Sequence, residues 1–332
     1  MVSLQSHQPS IHVRRFSKLT CFSTLLLIFI GGLVKSTESG LAVPDWPLSY
    51  GSFFPPMVGG VFYEHGHRMA ASLVGLFMLI LSVWLGMKEK RRWVKVLGFC
   101  ALGAVIAQGI LGGLTVLLFL PPPISIAHGT LAQTFFLLTI VIAYALSAER
   151  GKRVYGATGV HAGFLKNSVL FLAMVYIQLL LGALMRHTQS GLAVGDFPTM
   201  GGEIIPMFDA KMLANINAWR FGVNLDPVTF KQVVFHALHR SWALILTGVL
   251  VLINIQGFKT VHDKMVLRGL IWLDIAFVLQ ICLGVLTIFT LKEVILTTLH
   301  VANGALVLGL TMFLILRSAP LSWREFQHKV FG

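Results

Sequence analysis

Residues 31–47, GGLVKSTESGLAVPDWP, return without a gap as GALMRHTQSGLAVGDFP at 182–198, with 10 of 17 positions identical at an offset of 151. Further on the offset becomes 172: EHGHR at 64–68 meets HALHR at 236–240, QGILGGLTV at 108–116 meets QICLGVLTI at 280–288, and His128 meets His300. The change of 21 residues is an insertion in the second of two long connecting loops. Self-similarity at a fixed offset marks a duplicated structural unit.

The hydropathy around the repeat says what the unit is. The 332 residues are 56% hydrophobic and 12% charged, with a mean hydropathy of +0.80. Soluble domains carry about 25% charge, so this composition argues against a soluble fold. A bilayer crossing needs about 20 largely apolar residues. Eight runs qualify, at 17–35, 64–87, 94–120, 125–147, 168–187, 236–257, 269–291 and 295–316. The first follows Arg14, Arg15 and Lys18 as a signal peptide would, but it is long and shows no small-residue cleavage site, so it reads as an uncleaved span. Four spans per repeat give both halves the same orientation. The expected fold is therefore all-α and integral to the membrane, with two tandem four-helix bundles related by a pseudo-twofold axis along the membrane normal. The expected divisions are a cytoplasmic tail at 1–16, a first bundle at 17–147, a cytoplasmic linker at 148–167, a second bundle at 168–316 and a cytoplasmic tail at 317–332.

The net charge of +13 and pI near 10 would suggest nucleic acid as the partner of a soluble protein. Here 18 of the 26 Lys and Arg fall on one side, including Lys88, Lys90, Arg91 and Arg92; 6 fall on the other, and Arg68 and Arg240 lie inside spans. That is the positive-inside pattern, with both termini cytoplasmic. Charges divided among short loops report topology, and no nucleic-acid role follows. The lack of an extended Arg- and Ser-rich presequence points to a bacterial inner membrane over a mitochondrial one. Cys21, Cys100 and Cys282 are too far apart for a thiol zinc motif and too few for a disulfide framework.

Of the 12 histidines, His7, His12, His161, His262 and His328 fall in tails or cytoplasmic loops and read as solvated. His67, His128, His239 and His300 instead begin spans two, four, six and eight, near the external face, and pair through the repeat. Polar groups at membrane depth face a bundle interior. Two helices of each half thus supply one imidazole each, which suits the two axial positions of a haem iron. Zinc would want three or four ligands at one point. The competing reading gives these histidines a structural or transport role.

Arg68 and Arg240 follow their histidines directly, where a guanidinium can pair with a haem propionate; the alternative is snorkelling toward lipid headgroups. Glu64 precedes His67 by three residues on nearly the same helical face, while its repeat partner is His236. A carboxylate there is positioned to exchange protons with substrate or water; the alternative is an acid favoured by the helix dipole. His65 and His236 have no repeat partner of their own type. The GLAVxD segments with Asp45 and Asp196 read as structured turns that hold loops. Gln108 with Thr115, and Gln280 with Thr287, read as interhelical hydrogen bonds without assigned chemistry. The glycines beside them allow close approach of a helix or macrocycle, and Asp274 is a buried acid without a legible partner.

Together, Glu64-x-x-His67-Arg68, the repeated SGLAVxD loops, His128, His239-Arg240 and His300 resemble the haem A synthase family over roughly residues 20–316. The resemblance implies oxidation of the C8 methyl of haem O to a formyl group, giving haem A for cytochrome oxidase assembly, through successive hydroxylations and loss of water from a geminal diol. It implies haem O in the first half between His67 and His128, with Glu64 as the functional carboxylate. It also implies haem b in the second half on His239 and His300, for electron transfer or structure. Implied partners are haem O and membrane lipids, with haem O synthase, oxidase assembly factors and a homo-oligomer as further candidates. Many bacterial relatives carry a cysteine pair in the first external loop; residues 36–63 contain none, so the chain resembles a cysteine-poor branch in which a thiol relay is in doubt. The longer second loop, 188–235, carries Lys211, Arg220 and Lys231 and suggests a docking site or a lid. Two rivals remain: a dihaem b-type electron-transfer protein without substrate chemistry, and a transporter, which predicts helices broken near the midplane.

Overall fold

The computed structural model describes residues 9–153, 161–319, 327–328 and 330. Its helices in chain order are α1 (Ile11–Ser36), α2 (Gly60–Lys88), α3 (Arg92–Leu117), α4 (Pro122–Ala145), α5 (Ala148–Arg153), α6 (Ala162–His187), α7 (Ala210–Gly222), α8 (Phe230–Thr260), α9 (Lys264–Phe289) and α10 (Val294–Ser318). All except α5 and α7 are long and apolar enough to cross a membrane, eight in total, so the chain is a multi-pass membrane protein. The shortest of these, α4, has 24 residues; at 1.5 Å each it measures roughly 36 Å against a hydrocarbon core of about 30 Å. None of the eight is interrupted near its middle, contrary to what a transporter with broken helices requires.

Several helices begin before their apolar runs, because caps extend them into polar sequence. Ser10 accepts from the Val13 N–H and starts α1 at Ile11, six residues ahead of the run. Gln232 reaches back to the Thr229 N–H, 2.9 Å away, and starts α8 at Phe230. Such side-chain acceptors satisfy N–H groups that an α-helix leaves open at its N-terminus. Hydropathy registers only the stretch that meets lipid.

In the first half α1, α2, α3 and α4 are successive neighbours and α4 returns to α1; in the second, α6, α8, α9 and α10 do the same and α10 returns to α6. Val74, Met78, Leu81, Val94 and Phe135 are buried in the first core, and Phe164, Phe171, Leu246, Leu270 and Phe277 in the second. The halves meet through α1, α4, α6 and α10. Phe136, Ile140 and Ala305 are buried there, and Gly309 permits the approach: a Cβ on it would lie 2.9 Å from both Phe136 and Ile140. The Tyr176 and Thr134 hydroxyls, 2.6 Å apart, join α6 to α4. Arg186 donates to Ser36 Oγ at 3.0 Å, bringing the C-terminal ends of α1 and α6 together.

The helix α7 is absent from the sequence expectation, which has only a long loop. Asp209 caps it through the Met212 N–H at 2.8 Å, and Met212 and Ile216 bury against Ala193, Val194, Met200 and Val233. Arg220 is only 8% exposed. It donates to the carbonyls of Leu192 and Asp226, so it fixes the insertion rather than offering a surface charge to a partner. Cys21, Cys100 and Cys282 are free thiols in α1, α3 and α9.

Candidate functional site

The two SGLAVxD loops cover the ends of their bundles with the same backbone. Each has a cis X–Pro bond, Trp46–Pro47 and Phe197–Pro198, and an isolated bridge, Ser49 with Ser52 and Met200 with Glu203. Asp45 accepts from the N–H groups of Tyr50 and Gly51 at 2.7 and 2.8 Å. Asp196 accepts from Gly201 and Gly202, both at 2.9 Å, and from the Thr199 hydroxyl at 2.6 Å. The N–H groups of Gly51 and Tyr50 hold the Asp45 carboxyl below its ordinary range. Burial pushes Asp196 up, but the Thr199 hydroxyl and the Gly202 and Gly201 N–H groups outweigh it, and the net shift is downward. Both aspartates therefore organise loops, as the sequence suggests.

The two arginines grip these loops from the helices. Arg68 on α2 donates to the carbonyls of Asp45, Leu48 and Val43 at 2.7, 2.8 and 3.2 Å, and pairs with Glu64. Arg240 on α8 donates to the carbonyls of Asp196, Pro198 and Thr199 at 2.9 to 3.0 Å and lies over the Phe197 ring. The donors that sequence reasoning directs to propionates thus point at loop carbonyls. Glu64, 4% exposed, accepts from the Val43 N–H at 2.7 Å through its other oxygen. In the second half His236 occupies the equivalent place and donates from Nδ1 to the Ser190 carbonyl, 3.0 Å away. Neighbouring His65 bonds to Ser49 Oγ at 2.8 Å. Asp274, whose partner was not legible, accepts from Asn254 at 2.8 Å.

Beneath the loops stand the four histidines, each against a glycine of an adjacent helix. A Cβ on Gly31 would lie 3.1 Å from the Cε1 of His67; the distances are 3.2 Å for Gly112 and His128, 3.2 Å for Gly182 and His239, and 3.0 Å for Gly284 and His300. Any side chain at those glycines would press into an imidazole. His67 and His128 lie within electrostatic range of each other, as do His239 and His300. The Nδ1 atoms of His67, His128 and His300 are buried without a hydrogen-bond partner, an arrangement that folded proteins seldom leave unfilled. Among the described residues no group of three or more His, Cys, Asp or Glu could hold a metal ion, which does not suit zinc. Two paired, glycine-flanked imidazoles in each apolar bundle do suit the axial positions of a haem.

Three glutamines complete these arrangements. Gln108 donates to the His128 carbonyl at 2.9 Å and lies 3.4 Å from its Nε2. Gln178 donates to the His239 carbonyl at 3.0 Å, with its amide 3.3 Å from both ring nitrogens. Gln280 lies 3.4 Å from His300 Nε2 and is itself held by Asn303 at 2.9 Å. Sequence reasoning passed over Gln178 and gave the other two no chemistry. The signal was present in QGILG at 108–112, QLLLG at 178–182 and QICLG at 280–284, where a glutamine precedes each histidine-facing glycine by four residues.

Comparison with known proteins adds to this geometry. The model of the COX15-CtaA family, described as cytochrome oxidase assembly protein, matches residues 14–59 and 58–312. The chain belongs to this family. Among its relatives is a haem A synthase of Halalkalibacterium halodurans, 28% identical over 86% of this chain and 90% of its own. Haem A synthases of Pelagibacter ubique and Lysinibacillus sphaericus are 26% and 25% identical, covering 90% and 96% of this chain and 94% and 99% of theirs. The COX15-CtaA match takes in all four histidines, both arginines, Glu64 and both SGLAVxD loops.

Proposed function

We propose that this protein is a haem A synthase, an oxidoreductase that converts the C8 methyl of haem O to the formyl group of haem A. The observation that carries the reading is the pair of glycine-flanked imidazoles repeated in each half, with a carboxylate, Glu64, beside only one pair. In this reading His67 and His128 hold haem O, and His239 and His300 hold haem b. The halves form two tandem bundles about a pseudo-twofold axis along the membrane normal, a view supported by their matching helix neighbours and loop backbones. Both termini face the cytoplasm of a bacterial inner membrane, supported by the 18 basic residues against 6.

Haem iron, when bound, supplies redox chemistry that side chains lack. The protein's own groups bind, orient and exclude water. The four imidazoles would hold the haem irons, the glycines leave room for their rings, and the arginine-gripped loops close the ends of the bundles. Glu64 ties this closure together: it pairs with Arg68, which also holds the carbonyls of Val43, Asp45 and Leu48, and it accepts from the Val43 N–H. In the second half His236 stands in that place and bonds to the Ser190 carbonyl instead. This asymmetry favours one reactive and one supporting half over a dihaem carrier with two equivalent halves.

The test is co-expression with a haem O synthase, followed by extraction and chromatography of the bound haem. Haem A is expected from the native chain, and its absence overturns the reading. Glu64→Ala should accumulate haem O while retaining haem b. His239→Ala or His300→Ala should deplete haem b preferentially, and equal loss of both haems would overturn the two-site assignment.

A further inference from the structure

Three of the four histidines are braced by a glutamine, and the fourth has a leucine in its place. The Q-x-x-x-G pattern on α3, α6 and α9 sets Gln108, Gln178 and Gln280 against His128, His239 and His300. On α1 the equivalent stretch is LIFIG at 27–31, so Leu27 stands at the repeat position of Gln178. Gly31 is retained and faces His67 as Gly182 faces His239, but Leu27 cannot donate a hydrogen bond. Nδ1 is buried and unpartnered in His67 as it is in His128 and His300; what sets His67 apart is that, among the described residues, no side-chain amide reaches its ring or its carbonyl. The bracing is also graded. Gln280 is fixed in turn by Asn303, whereas the Oε1 atoms of Gln108 and Gln178 have no partner.

We infer that His67 is the exchangeable imidazole of the four, and that Leu27 is the positioning residue that makes it so by withholding the amide that braces the other three. The amides of Gln108 and Gln178 tie the carbonyl of their histidine, and with it the helix turn that aims the ring, to the neighbouring helix; outer contacts of this kind hold a metal-binding histidine in place, and removing them loosens the ligand. An unbraced ring turns away from the iron more readily, which opens a coordination position in one half only. That half must also admit haem O and release haem A, whereas the braced second half retains its haem. The inference rests on the bis-histidine reading above and names which ligand yields.

Carbon monoxide is the probe, since it binds ferrous haem only at an open position. Protein co-expressed with a haem O synthase is purified, its haem counted, reduced with dithionite and exposed to the gas. The adduct is assigned by its loss in His128→Ala or in His300→Ala protein. The native chain should form it in the first half alone. Leu27→Gln should reduce it about five-fold, the change produced by one net hydrogen bond of about 1 kcal/mol. Gln178→Leu should open the second half to the gas. An unchanged adduct in Leu27→Gln, or a native adduct on the haem of His239 and His300, overturns the inference. Should Leu27→Gln fail to fold, Gln178→Leu decides alone, because a second haem that still excludes the gas refutes the brace. Failure of the underlying reading has its own signature: native protein with no low-spin bis-imidazole haem signal in the oxidised state.

Discussion

The glycine at position 284 offers a stringent test of the haem site proposed for the second half. In Gly284→Ala the new methyl carbon would lie 3.0 Å from the Cε1 of His300, closer than the roughly 3.5–4.0 Å at which carbon atoms attract. Either the ring or α9 must retreat by several tenths of an ångström. Overpacking of this kind costs about 1–3 kcal/mol. Gly248 on α8 provides the control, since a Cβ there meets nothing within 4 Å. Alanine in a helix gains about 0.5–1 kcal/mol over glycine in backbone entropy at either position, so the difference between the variants isolates the contact with the ring. That difference of about 1–3 kcal/mol corresponds to about 5- to 150-fold weaker haem retention. Haem b per purified chain and the detergent-phase melting temperature are the measurements. Gly284→Ala protein that keeps haem b and melts like Gly248→Ala would refute the reasoning. Gly31→Ala, whose Cβ would lie 3.1 Å from the Cε1 of His67, should by the same reasoning loosen the haem of the first half and leave that of the second unchanged.

Arg68→Lys replaces a fork that reaches three loop carbonyls and Glu64 with a single ammonium; amide exchange over residues 43–49 should rise about ten-fold, equivalent to about 1.4 kcal/mol, and haem loss with unchanged loop exchange would return Arg68 to a propionate role. Asp196→Ala leaves the N–H groups of Gly201 and Gly202 and the Thr199 hydroxyl without their acceptor, so limited proteolysis between residues 196 and 203 should accelerate while Asp263→Ala, at the other end of α8, leaves that rate unchanged. Both Asp45 and Asp196 are held below the ordinary aspartate range, so their stabilisation is present at neutral pH and disappears only as pH falls below about 3.9 toward their folded values; the loops' protection from amide exchange, relative to the unfolded chain at the same pH, should stay flat from pH 7 to about 4 and then fall, and a fall near pH 6 contradicts this. Arg220→Leu leaves the Leu192 and Asp226 carbonyls without their donor and should destabilise the insertion by about 1–3 kcal/mol, read as exchange over α7 with the spans unaffected.

Several features were legible because they depend on local sequence. Apolar length marks all eight spans, and the offsets of 151 and 172 pair the histidines and the SGLAVxD loops. The 21-residue insertion was located, but α7 within it was not. Its 13 residues lack the length of a span, and they become a helix by packing Met212 and Ile216 against Ala193 and Val233. The arginines stand out in the sequence, yet the loop carbonyls they bond lie 20 or more residues away along the chain. No periodicity shows which carbonyls such a loop turns inward.

The sequence by itself determined the membrane class, the duplication and the residue types available for chemistry, because bilayer thickness and the repeat are both recorded along the chain. Only the tertiary structure decided that each imidazole faces a glycine on a neighbouring helix, that three are braced by glutamine, and that His67 is not. Those relations depend on which helix faces compete for the same few ångströms, a property of the rotation and adjacency of helices rather than of any single segment.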